Sequence, residues 1–269
     1  MKNGFKKLGG LILALALTLS LSVPSFAAES LSVDQSELRG AVVEIVANAT
    51  SKEEREKMLS ELLEETPLAP YPTMQATYSP ESISITGMPE VVETVVIDEN
   101  KRVDFFETGD FGILEMENLG ETNVAVPYAT YKYTDTYRTS YTIENVFGGK
   151  IVETYVKGYF RYDGTNTPTA YLEDAGYSKG TLIFWDCSSW DADTGRNFRD
   201  KTAYCYADAY YDWTLDISLG GSVGGDLGGV EGEVSGEVSD GLTIQDCNVY
   251  LRLICSKTGY VSGRVSLEG

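Results

Sequence analysis

Between Trp213 and Ile244 the side chains sort by odd and even number, a pattern that only an extended backbone produces over such a length. Trp213, Leu215, Ile217, Leu219, Val223 and Leu227 are odd, with Gly221 and Gly225 in the gaps, while Thr214, Asp216, Ser218, Ser222 and Asp226 are even. Parity flips at Gly228-Gly229. Beyond it Val230, Val234, Val238, Leu242 and Ile244 are even, and Glu231, Glu233, Ser235, Glu237 and Thr243 are odd. A two-residue glycine turn accounts for the flip. It sets Leu227 opposite Val230, Val223 opposite Val234, Leu219 opposite Val238, Leu215 opposite Leu242, and Trp213 opposite Ile244. The apolar side chains of hairpin 213–244 then share one face, with Asp240 opposite Ile217 as the mismatch. Strands of about 15 residues at about 3.3 Å each make a ribbon roughly 50 Å long.

The same period of two runs from about residue 81 onward. Short strands are expected over 82–86, 91–97, 102–106 and 112–119, with a turn at Asp98-Glu99-Asn100-Lys101. Longer ones are expected over 131–143, 151–162, 181–187 and 202–217, with turn residues at 145–150 and 163–168. No helical pattern separates them, which excludes a parallel α/β fold. Residues 28–66 differ. Leu38, Ala41, Val42, Ile45, Val46 and Ala49 make one apolar stripe behind a capping box at Asp34 and Glu37. A second start at Ser51 and Glu54 precedes Met58, Leu59, Leu62 and Leu63. The segment is two helices broken near Asn48, or one kinked helix. Pro67, Pro70 and Pro72 mark a linker over 67–80. The fold class is mainly β: an antiparallel β sandwich or elongated β domain over 81–269, carrying the long amphipathic hairpin and preceded by an N-terminal helical segment.

Lys2, Lys6 and Lys7 precede an uncharged apolar run over 8–23, and Ser25-Phe26-Ala27 supplies small residues for cleavage. Residues 1–27 therefore read as a signal peptide of bacterial style, the run being short for a membrane span of about 20 residues. The expected product is secreted and extracellular. Its loss takes 21 basic residues to 18 against 41 acidic, so the net charge of −20 becomes −23. That charge opposes a phosphate backbone and excludes nucleic acid as a partner. With no histidine, the Ser-His-Asp triad, the Cys-His pair and imidazole metal ligation are excluded as well.

Four cysteines enter an oxidising compartment, so Cys187, Cys205, Cys247 and Cys255 are disulfide candidates. Cys247 and Cys255 sit on one apparent strand about 26 Å apart, out of reach of each other. Pairing of Cys187 with Cys205 across the turn-rich stretch 191–197 is favoured; otherwise each joins one of the other two. Asp191, Asp193 and Asn197 stand at alternate positions, as calcium ligands do, which makes calcium the one cofactor the motifs admit. Gly195 comes one position early for an EF-hand and Thr202 replaces its closing Glu, so an ordinary Asp-Gly turn is the preferred reading.

Trp185, Trp190 and Trp213, with Tyr204, Tyr206, Tyr210 and Tyr211, either make a stacking platform or, the preferred reading, pack in the core and across strands; Trp190, Tyr210 and Tyr211 are the candidate binding residues among them. No carboxylate pair among the acids stands out for glycoside hydrolysis. The favoured function is a non-enzymatic extracellular module that binds a protein or glycan; a carboxylate-based polysaccharide hydrolase ranks third. The second reading comes from the hairpin. Its apolar set Leu219, Val223, Leu227, Val230, Val234 and Val238 either packs on the domain, belongs to a glycine-rich loop, or enters a membrane. In that last form the alternation resembles the insertion hairpins of aerolysin-type β-pore-forming toxins. The resemblance covers this hairpin alone and implies self-assembly into a barrel with an acidic, cation-selective lumen.

Overall fold

The computed structural model describes residues 35–65, 90–122, 131–145, 149–180, 185–215 and 242–268. The expected signal peptide, the expected linker and strand 82–86, and the part of the expected hairpin between 216 and 241, with its apolar set and glycine turn, lie outside the described residues.

Among the described residues two helices come first, α1 (Gln35–Asn48) and α2 (Lys52–Glu65). The break at Ala49–Ser51 is a capping structure. Ser51 Oγ accepts the Glu54 N–H at 3.1 Å, and the Glu54 carboxylate accepts the Thr50 N–H at 2.9 Å and its hydroxyl at 2.5 Å. The expected apolar stripe is buried at Val42, Ile45 and Val46, followed by Leu59 and Leu62 of α2.

Eleven strands follow: β1 (Val91–Val96), β2 (Lys101–Phe106), β3 (Phe111–Asn118), β4 (Lys132–Tyr133), β5 (Tyr137–Glu144), β6 (Lys150–Tyr162), β7 (Thr169–Lys179), β8 (Trp185–Asn197), β9 (Thr202–Leu215), β10 (Leu242–Ser256) and β11 (Val261–Glu268). They make two antiparallel sheets, one seven-stranded from β1 to β7 and one four-stranded in the order β11-β10-β9-β8. The sheets enclose one core. Ala203, Cys205, Ala207, Ala209 and Tyr211 of β9 alternate into it, as do Cys247, Val249, Leu251, Leu253 and Cys255 of β10. Tyr141, Val152, Val156 and Phe160 meet them from the larger sheet. Gly158 allows the close approach, since a Cβ there would lie 2.8 Å from the Cys205 sulfur and 2.6 Å from the Tyr171 carbonyl oxygen. The antiparallel sandwich is thus the observed architecture.

α1 lies against β2, and the attachment is partly ionic. Lys101 Nζ donates to the carbonyls of Val46 and Ala49 at the α1 terminus, at 3.0 and 3.3 Å. Lys52 pairs with Glu153 at 2.5 Å, and the buried Arg55 pairs with Glu115.

Several elements depart from expectation. The strand expected over 131–143 is split, because Thr134 spends its hydroxyl on the ladder: its Oγ1 accepts the Phe160 N–H at 3.0 Å and donates to the Asp135 carbonyl at 2.8 Å. β7 was not anticipated. Its register slips where Lys157 and Gly158 meet Asp174 and Leu172, so alternation changes phase midway and is hidden in the sequence. The stretch 191–197, expected as a turn, is the second half of β8, and the reversal comes later at 198–201, where Lys201 adopts φ 50°.

At the base of the hairpin Leu215 lies opposite Leu242 and Thr214 opposite Thr243, as the parity argument requires. Trp213 lies opposite Gln245 and not Ile244, because a bulge falls between Thr243 and Gln245. That bulge marks the point in β10 where apolar residues pass from even numbers to odd.

Candidate functional site

The outward face of the four-stranded sheet carries the most concentrated recognition chemistry among the described residues. It follows from alternation: with the odd residues of β9 committed to the core, Tyr204, Tyr206, Asp208, Tyr210 and Asp212 turn the other way. In register beside them stand Asp246, Asn248, Tyr250 and Arg252 of β10, and Asp186, Asp191 and Asp193 of β8. Tyr206 and Tyr250 have ring centroids 5.6 Å apart at 45°, and Tyr204 and Tyr206 are 6.2 Å apart at 53°. Tyr204 needs the glycine opposite it, because a Cβ on Gly195 would run into the phenol ring. All four tyrosines are half-buried.

Carboxylates anchor the hydroxyls. Tyr206 donates to Asp191 Oδ2 at 2.7 Å and Tyr210 donates to Asp246 Oδ2. Each hydrogen bond pushes its phenol up to about 12, so both stay neutral donors. Burial, reinforced by Tyr204, raises Tyr250 as well. Asp186, Asp212 and Asp246 form a row across three strands. Burial and then the neighbouring Asp186 raise Asp212, while a hydrogen bond from Lys179 holds Asp186 down. The arrangement offers ring faces for the C–H faces of a sugar or an apolar side chain, beside acceptor oxygens for hydroxyl or amide donors.

The candidate binding residues divide between the two faces. Tyr210 belongs to this face. Tyr211, the next residue, points into the core, where its hydroxyl meets Thr154 Oγ1 at 2.8 Å and donates to the Glu153 carbonyl at 3.0 Å. Trp190 also turns inward and packs on Tyr177 at 5.2 Å between centroids. The three therefore do not form one platform. Tyr204 and Tyr206, the further candidates from the sequence, join Tyr210 on this face, and Tyr250 of β10, which the sequence reading did not single out, stands beside them.

Asp191, Asp193 and Asn197 are not gathered into a loop. On an extended strand Asp191 and Asn197 are about 20 Å apart, whereas calcium ligands lie within about 2.6 Å of one ion. Their oxygens have other uses: Asp191 takes Tyr206, Asp193 Oδ1 accepts the Thr194 N–H at 2.7 Å, and Asn197 Oδ1 caps the turn by accepting the N–H groups of Arg199 and Asp200 at 3.0 and 3.1 Å. Among the described residues no cluster of three or more acidic or cysteine side chains is arranged to hold a metal.

The disulfide expectation is also corrected: all four cysteines are unbonded. Cys187 and Cys205 are on adjacent strands, but Cys187 lies opposite Tyr211, and Cys205 is six residues, about 20 Å, further along β9. Cys247 and Cys255 share β10 as the sequence indicated. Burial pushes the thiols of Cys205, Cys247 and Cys255 up to about 12, where they are inert as nucleophiles.

No protein-family model, curated protein or solved structure matches this chain.

Proposed function

We propose that the chain is an exported, non-enzymatic binding module, and that its tyrosine face recognises carbohydrate. The observation that carries this reading is the contiguous row Tyr204–Tyr206–Tyr250, half-buried and set beside the carboxylates of Asp191, Asp208 and Asp246 on a sheet face turned away from the core. Rigid rings with polar tips bind at low entropic cost, and carboxylates accept the hydroxyl donors that every sugar carries. The acidic surroundings favour neutral over anionic polymers at this face. The leader-like sequence 1–27 supports export. Affinity electrophoresis through gels cast with neutral polysaccharides tests the reading. Retardation is expected with at least one polymer, weakened about tenfold by Tyr206→Ala with Tyr250→Ala, equivalent to about 1.4 kcal/mol of lost contact. Unretarded migration in every polymer overturns it.

The second reading, a hairpin that inserts into a membrane, gains support from the pairing of Leu215 with Leu242, which starts the ribbon in the register insertion requires. Dye release from liposomes, abolished by Val234→Asp in a protein that still folds, is its expected signature. Absence of leakage across pH and lipid composition removes it.

A further inference from the structure

A cleft of about 660 Å3 opens where the β1–β2 hairpin of the larger sheet approaches the β10–β11 pair of the smaller one. Lys101, Arg102, Arg252 and Arg264 line it, against only two acidic residues, Asp98 and Glu99. In a chain of net charge −20 this is a local reversal of sign.

Two of the four cations already have partners. Arg102 is matched by Asp104 at 2.7 and 3.2 Å, and Lys101 holds the α1 carbonyls. The other two do not. Arg252 and Arg264 stand directly opposite each other across β10 and β11, a position in which like charges repel. Among the described residues the arginines in ion pairs are Arg39, Arg55, Arg102 and Arg138, so neither Arg252 nor Arg264 is compensated there. Arg252 Nε is buried and without a hydrogen-bond partner. Its guanidinium carbon lies 5.2 Å from the Tyr250 ring centroid, a contact that steadies the side chain without using its donors. A buried donor without a partner is costly, so Arg252 gains from any acceptor that reaches it.

We infer that this cleft binds the carboxylate of an acidic saccharide, with Arg252 and Arg264 as the residues that hold it. The planar guanidinium fork matches a carboxylate with two parallel hydrogen bonds. After Asp104 matches Arg102, and Asp98 and Glu99 offset two more charges, one positive charge remains in the lining. That surplus suits a monoanionic carboxylate and not a dianionic phosphate. The rest of the lining suits a sugar ring: Asn100, Ser266 and the two acids face its hydroxyls, and Val96, Leu114 and Met116 face its C–H groups. The volume lies within the range of about 300–1,000 Å3 usual for small-molecule sites. Arg252 is shared with the tyrosine face, whereas Arg264 and the β1–β2 lining are not among its residues, so Arg264→Gln tells failure of this site from failure of that one.

Calorimetric titration of the full chain with glucuronate, its uncharged amide glucuronamide, and acetate tests the inference. Saturable binding of glucuronate is expected, with glucuronamide and acetate at least tenfold weaker and with affinity falling as salt rises. Arg264→Gln, an exposed substitution that leaves the melting temperature in place, is expected to weaken glucuronate at least tenfold while leaving retardation by neutral polysaccharide unchanged. Arg252→Gln is expected to act in the same direction. No saturable heat with glucuronate, equal affinity for the amide or for acetate, or an unaffected Arg264→Gln variant overturns the inference. So does a short peptide whose free C-terminus binds more tightly than glucuronate.

Discussion

Glu144 is 2% exposed, and one of its carboxylate oxygens has no hydrogen-bond partner among the described residues. Burial pushes its carboxyl up to about 7, although the Arg55 guanidinium pulls the other way. Between the ordinary carboxyl value of 4.5 and about 7, the folded chain therefore holds a proton that the unfolded chain has released. Stability from this group rises as pH falls through that window and is lost above it, which is the reverse of the usual acid. The shift corresponds to about 3 kcal/mol at most. Glu144→Gln should raise the melting temperature at pH 8 and leave it nearly unchanged at pH 5; equal shifts at both pH values refute the assignment. Glu153 behaves oppositely: burial raises it, but Lys52 above all, then Lys150 and Arg138, hold it below the ordinary range. Its contribution is present above 4.5 and fades as pH falls through the lowered value. Gly158 makes a packing prediction. Its missing Cβ is the space that the Cys205 sulfur and the Tyr171 carbonyl fill, so Gly158→Val should cost about 2–4 kcal/mol in denaturant unfolding. None of these pairings was legible in the sequence, because each joins residues from different strands or layers whose offset no local pattern records.

Elements were more legible than their joints. The helical stripe at Val42, Ile45 and Val46, the turn at Asp98–Asn100, and strands β1, β2, β3 and β6 follow from periodicity and turn chemistry. What alternation cannot carry past is a bulge. One at Ser188, between Cys187 and Ser189, shifts the register of β8, while the separation of Cys187 from Cys205 was hidden by reading 191–197 as the turn when the reversal falls at 198–201. Another near Glu173 masked β7, and Thr134 cut a strand by using its side chain where a backbone group was expected. The hairpin register supports a direct test. Leu215→Cys with Leu242→Cys, in a background lacking the native thiols, should cross-link under mild oxidation, while Leu215→Cys with Gln245→Cys should not. Non-reducing mass spectrometry reads both. If the ribbon continues to the twin glycines, Val223→Cys with Val234→Cys cross-links too.

For the whole molecule, the alternation of the smaller sheet sends Cys205, Tyr211, Cys247 and Cys255 into the core and turns Tyr204, Tyr206, Tyr210 and Tyr250 outward. Cys205, Cys247 and Cys255 are sealed between the sheets and Cys187 is half-buried at the edge strand β8. Thiol labelling of the native protein should therefore modify about one cysteine, Cys187, and labelling after unfolding should modify all four. Fewer than four reactive thiols in the unfolded chain would mean that a bridge this register does not predict had closed. The outward row was readable from the alternation of β9, but the arginine cleft was not, because it forms only where two sheets meet at their ends. The extra residue at the foot of the hairpin has a consequence beyond its own pair. It acts as a phase shifter: Leu242 and Thr243 keep one register with β9, and from Gln245 onward β10 keeps another, offset by one residue. Deleting Ile244 alone would remove the offset and let Thr243 and Gln245 pair with Thr214 and Trp213 in one unbroken ladder, so the spare residue is what allows the two stretches of β10 to be read in different frames.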